Sequence, residues 1–146
     1  MIEESIVQLE VEALTWEDAL WKAGYPMITN HYVTESYIRD IIRIVHDEGP
    51  FIVITKHVAL PHTKPSRGAL RCGLGITVLK EAIPFGNKDH DPIKYIFTLS
   101  AIDNEAHLNA MSQLLELFNE PSFFIMLDKA MTSKEVISYI TNHIHS

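Results

Sequence analysis

Apolar residues recur along this 146-residue chain in two rhythms, one that suits strands and one that suits helices. Residues 6–11 partly alternate apolar and polar, the pattern of a short strand. Trp16, Ala19, Leu20, Ala23 and Met27 then fall at helical spacing behind Thr15, a good N-cap with Asp18 three residues on. Gly24 and Pro26 weaken or kink that helix and leave its end open. Thr34 is placed to cap a second helix carrying Tyr37, Ile38, Ile41, Ile42 and Val45, which Gly49-Pro50 stops. Strands are predicted at 51–55, at 74–79 and at 93–101; the last is a near-continuous apolar run of the kind covered on both faces.

The second half reads as mostly helical. Asp103 is the expected N-cap of a helix with Leu108, Met111, Leu114, Leu115 and Phe118 as its apolar stripe. Pro121 opens a short helix with Phe123, Phe124, Met126 and Leu127. Thr132 and Glu135 form a capping-box pattern before Val136, Ile137, Tyr139 and Ile140. Ser66-Arg67-Gly68 and the segment from Ile83 to Pro92 are turn-rich. Strands and helices mix throughout, so the expected class is α/β: a mixed parallel and antiparallel central sheet flanked by helices, one domain over residues 1–146.

The stretch His57-Val58-Ala59-Leu60-Pro61-His62-Thr63-Lys64-Pro65 interrupts this regular pattern. Pro61 fixes its own φ and biases Leu60 away from helix, so His62 is expected on a stiff turn at the mouth of the 51–55 strand. A fixed imidazole, largely neutral yet readily protonated near pH 7, suits a nucleophile that forms a covalent intermediate. The plain alternative is a histidine that ends a loop. His107, early in the helix after the 93–101 strand, meets His62 if the two strands are neighbours whose C-terminal ends share an edge. A helix N-terminus there favours an anion such as phosphate, whereas a lone first-turn histidine can equally face water. Thr63 offers a hydroxyl and an N–H to a phosphoryl oxygen, or ordinary turn chemistry; Lys64 offers a charge to a phosphoryl group or an acidic partner, or is solvated.

Composition narrows the function. The net charge of −7 argues against a nucleic-acid binder, although Lys64, Arg67 and Arg71 form a small basic run. Cys72 is the single cysteine, which excludes an intrachain disulfide and reads as a small residue at a strand start, with a reactive thiol beside Arg71 as the alternative. The acidic start Met1-Ile2-Glu3-Glu4 is no signal peptide, and no apolar stretch reaches membrane-spanning length. His31, His46, His57, His90, His143 and His145 show no zinc-ligand spacing, so a metal-dependent hydrolase built on His57, His62 and His90 is disfavoured.

Val58-Ala59-Leu60-Pro61-His62 resembles the phosphorylation-site motif of the type 2 (mannitol/fructose-like) enzyme IIA proteins of the bacterial phosphoenolpyruvate-dependent sugar phosphotransferase system. Thr34-Glu35-Ser36-Tyr37-Ile38 resembles the family's helix start before the site, and Asn104-Glu105-Ala106-His107-Leu108 its second histidine. The likeness spans residues 5–142 and is strongest to the ascorbate-type components, through Gly49-Pro50-Phe51, Leu60 to Pro65, and Leu79-Lys80 through Phe85 to Asp91-Pro92. Thr63 stands where many members have glycine or alanine, and Lys64 where the ascorbate branch often has arginine. Arg43 lies near an upstream arginine of the mannitol branch without a clear match.

The resemblance implies a cytoplasmic phosphoryl carrier without cofactor or metal. His62 would accept a phosphoryl group from the phosphohistidine of HPr and pass it to a cysteine of enzyme IIB, which serves the membrane enzyme IIC, while His107 steadies the group. It equally admits a regulatory switch that binds other proteins according to its phosphorylation.

Overall fold

The computed structural model describes residues 2–144. The strands β1 (Val7–Val11), β2 (Val53–Thr55), β3 (Val58–Ala59), β4 (Gly73–Ile83) and β5 (Ile93–Ser100) form one sheet in the order β1-β4-β5-β3-β2. β1 runs parallel to β4 and β3 parallel to β5, while β4/β5 and β2/β3 are antiparallel. This is the mixed sheet expected.

Helices α1 (Trp16–Thr29) and α2 (Glu35–Glu48) cover one face; α3 (Asn104–Phe118), α4 (Pro121–Lys129) and α5 (Ser133–Ile144) are on the other. The alternation of β5 makes it the partition. Ile96 packs with Leu20, Met27, Ile38 and Ile41, whereas Tyr95, Phe97 and Leu99 pack with Leu114, Phe123 and Val136.

Local chemistry fixes most helix ends as expected. Thr15 accepts the N–H of Asp18 at 3.1 Å, Asp103 accepts that of Ala106 at 2.8 Å, and Glu135 reaches back to the N–H of Thr132 at 3.1 Å. Thr34 occupies the N-cap position of α2 without a capping bond, because its hydroxyl pairs with Ser36 at 2.8 Å. Pro26 does not end α1. It strips the carbonyl of Lys22 of its helical partner, and the side-chain amide of Gln8 donates to that oxygen instead at 2.9 Å. At Gly24 a Cβ would stand 2.7 Å from Ile38, so the glycine lets α1 and α2 approach closely.

Three expectations are corrected. The 51–55 segment is a turn followed by a short strand, with Phe51 exposed, and the chain reverses at once into β3. His57 makes that reversal at φ 67°, its N–H bonded to the carbonyl of His90 at 2.9 Å and its own carbonyl to the N–H of Lys94 at 2.9 Å. A distant loop therefore holds the turn, and local periodicity carries no sign of it. The buried stripe of α3 is Ala110, Leu114 and Leu117; Leu108 and Leu115 face out, because they project from the side of the helix turned away from the sheet. Finally, β4 runs Gly73–Ile83 where a strand over 74–79 was expected; the turn-rich segment before it holds a 3₁₀ turn, Pro65–Arg67.

Candidate functional site

The site begins with the parallel pair β3 and β5, in register Val58↔Tyr95 and Ala59↔Ile96. Parallel strands deliver their C-terminal ends to the same edge of a sheet. The chain leaves β3 as Leu60-Pro61-His62 and leaves β5 toward the N-terminus of α3. The ladder continues past β3, since the N–H of Leu60 donates to the carbonyl of Ile52 at 2.7 Å and that of Leu99 to the carbonyl of Pro61 at 3.0 Å. Leu60 and Pro61 are buried, so His62 emerges from a backbone sewn to the sheet.

This geometry brings His62 and His107 together, with ring centres 5.3 Å apart and planes tilted by 56°. The condition set by the sequence holds for β3, not for the strand at 51–55, which runs antiparallel to β3 and ends at the opposite edge. Phe51 meets the His62 ring edge-on at 5.8 Å. Together with Ile44, Lys64 and Asn104 these residues line an open cleft of about 330 Å³.

Nδ1 of the half-buried His62 lies 2.7 Å from the carbonyl oxygen of Leu60. A carbonyl only accepts, so Nδ1 carries the proton and Nε2 keeps the lone pair when the ring is neutral. Burial pulls the pKa of His62 below the ordinary 6.5; the Leu60 carbonyl opposes this and charge on His107 adds to it. The ring is thus held in one tautomer, neutral, and on a rigid mount. That is the state of an imidazole able to attack an electrophile through Nε2.

Thr63 also lines the cleft, but its donors are already engaged. Its hydroxyl donates to Asp40 at 3.1 Å and its N–H to the hydroxyl of Tyr37 at 3.3 Å, so both of its donors have partners in α2. Lys64 is exposed at the cleft mouth and makes no ion pair among the described residues. The basic run does not form a patch: Arg67 pairs with Asp40 at 3.4 Å, and Arg71 reaches Glu3 at 3.5 Å while lying 3.8 Å over the Tyr32 ring. Arg43 pairs with Asp40 at 2.7 Å and Asp47 at 3.5 Å on the outer face of α2. Cys72 is half-buried just ahead of β4.

The remaining histidines lie apart from the cleft. His57 precedes β3 and His62 follows it, so these two stand at opposite ends of the strand, and His57 bonds the carbonyl of Pro92 through Nδ1 at 2.7 Å. His90 sits in that same far loop. His31 turns the chain between α1 and α2, His46 pairs with Glu17 at 3.2 Å, and His143 stacks on Tyr139. His145 lies outside the described residues. Among the described residues no three His, Cys, Asp or Glu side chains gather as a metal site, and no helix is long and apolar enough to cross a membrane.

Phe51, Asp40 and Tyr37 are site residues that sequence reasoning missed. Phe51 reads as strand and Tyr37 as part of an apolar stripe, and Asp40 is not singled out by the sequence. The only sequence signal for the pair in α2 is its spacing of one helical turn.

Comparison with known proteins shows the family and the fold. The family "Phosphoenolpyruvate-dependent sugar phosphotransferase system, EIIA 2" matches residues 1–143. The ascorbate-specific EIIA component of Shigella flexneri is 30% identical over 142 residues, covering 96% of this chain and 92% of the relative. The solution structure of the mannitol-specific cryptic phosphotransferase enzyme IIA of Escherichia coli superposes with a TM-score of 0.85 at 30% identity, over 97% of this chain and 95% of that one. A complex of enzyme IIAMTL with phosphorylated enzyme IIBMTL from Escherichia coli gives a TM-score of 0.83 at 18% identity, over 98% and 100% of the chains, and so shares the fold.

Proposed function

This chain belongs to the EIIA 2 family of the phosphoenolpyruvate-dependent sugar phosphotransferase system, and from that membership we propose that His62 is its phosphoryl carrier and His107 the group that assists it. The observation that carries this reading is the Leu60 carbonyl on Nδ1 of His62, which leaves the lone pair on Nε2 beside a second imidazole.

Nε2 attacks the phosphorus of the phosphohistidine on HPr. A new N–P bond forms, the donor's N–P bond breaks, and the donor ring, protonated on its other nitrogen, leaves as neutral imidazole. His62 becomes a phosphorylated imidazolium whose Nδ1–H still donates to Leu60, so the bond that fixed the tautomer now stabilises the positive ring. Transfer onward reverses these roles. A cysteine thiolate of enzyme IIB attacks the phosphorus and His62 departs as the same neutral tautomer. His107 donates a ring N–H to a phosphoryl oxygen, and Lys64 at the mouth adds positive charge; positioning and charge stabilisation suffice for this chemistry without metal.

Exposed apolar side chains occur in and beside the open cleft: Phe51, in its lining, is 41% exposed, Ile102, two residues before the lining Asn104, 54%, and Leu108, next to His107 in the chain, 68%. Such a surface suits a protein partner that closes over the phosphoryl group and keeps water from it. We place the chain, as one enzyme IIA domain over residues 1–146, in the cytoplasm between HPr and an enzyme IIB that serves a membrane enzyme IIC. Its closeness to an ascorbate-specific relative supports ascorbate-type or related uptake.

The test is incubation with phospho-HPr. Wild type is expected to take an acid-labile, base-stable label at one histidine and to release it to an ascorbate-type enzyme IIB. His62→Ala, folded, is expected to take none; persistent labelling in that variant overturns the assignment.

A further inference from the structure

The two sides of His62 are anchored differently. Upstream, Leu60 and Pro61 are bonded into the sheet through Ile52 and Leu99. Downstream, Thr63 is held by α2 alone among the described residues. Its N–H reaches the Tyr37 hydroxyl, which itself donates to the carbonyl of Leu99 at 2.9 Å, and its hydroxyl donates to Oδ2 of Asp40 at 3.1 Å.

Asp40 is built for that task. Its side chain is only 10% exposed, and its other oxygen, Oδ1, takes Arg43 at 2.7 Å and Arg67 at 3.4 Å. A bare carboxylate bonded to the residue that follows a phosphoryl acceptor would repel the incoming group. Two guanidinium groups cancel its charge and leave a hydrogen-bond acceptor fixed in place.

We propose that Asp40 is a positioning residue for phosphoryl transfer, acting through the Thr63 hydroxyl to hold the downstream side of the His62 turn at in-line geometry. The proposal rests on the phosphoryl-carrier reading and gives the Thr63 hydroxyl, which the sequence offered to a phosphoryl oxygen, to the protein's own carboxylate instead. Arg67 lies in the 3₁₀ turn directly after the site and Arg43 in α2, so the anchor also joins the loop's far end to the helix.

The experiment measures single-turnover acceptance from phospho-HPr by wild type, Thr63→Val, Asp40→Ala, the double variant and Thr63→Ser, with folding checked by thermal melting. Failure of wild type to label at all defeats the carrier reading itself; the comparison among variants judges Asp40. Each of Thr63→Val and Asp40→Ala is expected to slow the transfer step about tenfold with the concentration dependence on phospho-HPr unchanged. The double variant is expected to be no slower than the slower single variant, since both remove one bond. Thr63→Ser is expected to restore the wild-type rate. Wild-type rates in Asp40→Ala, losses that multiply in the double variant, or a change confined to concentration dependence overturn the proposal. A second measurement needs only wild type. In a structure of the phosphorylated protein the Thr63 hydroxyl is expected to remain on Asp40, and its transfer to a phosphoryl oxygen overturns the assignment.

Discussion

The carbonyl oxygen of Leu60 lies 2.7 Å from Nδ1 of His62, two residues further along the chain. A contact this local, made across a buried proline, needs no other element to orient the ring once the backbone is set. It decides which nitrogen keeps the lone pair.

The same environment governs pH dependence. Burial lowers the pKa of His62 from its ordinary 6.5, so the neutral, nucleophilic ring persists into more acidic solution than a free histidine would. Phosphoryl acceptance is expected to hold through pH 6.5 and to fall only below it. The linked stability has a definite sign: the unfolded chain binds the proton more readily, so this contribution is complete above 6.5 and is lost as pH falls through the lower folded pKa. Titration of the ring resonances by NMR checks this; a midpoint at or above 6.5 contradicts it.

His107 is expected to act on the transition state and not on the fold. It is half-buried at the start of α3 and touches the cleft, while the core residues of α3 are Ala110, Leu114 and Leu117. His107→Ala should melt close to wild type and still label at His62, but with a transfer rate reduced on the order of a hundredfold, as for loss of one oriented donor. Equal rates of acceptance and release in the two proteins would remove His107 from the mechanism.

Leu108, next to His107 in α3, tests whether this helix face docks the partner. At 68% exposure it contributes little to the core, so Leu108→Asp should leave thermal stability unchanged. Placed in the partner's footprint, a buried charge should weaken apparent affinity for phospho-HPr or enzyme IIB about tenfold, with the rate at saturation preserved. Saturation kinetics separate the two; an unaltered affinity moves the docking face away from α3.

Much of this molecule is written locally. Thr15, Asp103 and the Thr132–Glu135 pair announce helices by capping chemistry acting over three residues, and the 93–101 run announces a strand buried on both faces. Pro61 before His62 marks a stiffened turn, and the motifs around His62 and His107 identify the family. These features are legible because their physics acts between near neighbours. The buried stripe of α3 is not legible for the opposite reason: Leu108 and Leu115 carry the same hydrophobic signal as core residues, and only the sheet's position tells which side of the helix is covered.

By itself the sequence determined the mixed α/β class and most element positions, and it singled out His62 and His107 as candidates. Only the tertiary structure decided that β3, entered through the His57 reversal that bonds to the His90 loop, runs parallel to β5 and so brings the rings to 5.3 Å. It also decided that Thr63 bonds to Asp40 and Tyr37 across more than twenty intervening residues. Strand pairing and long-range hydrogen bonds depend on which segments the folded backbone sets side by side, and no local rhythm of side chains encodes that adjacency.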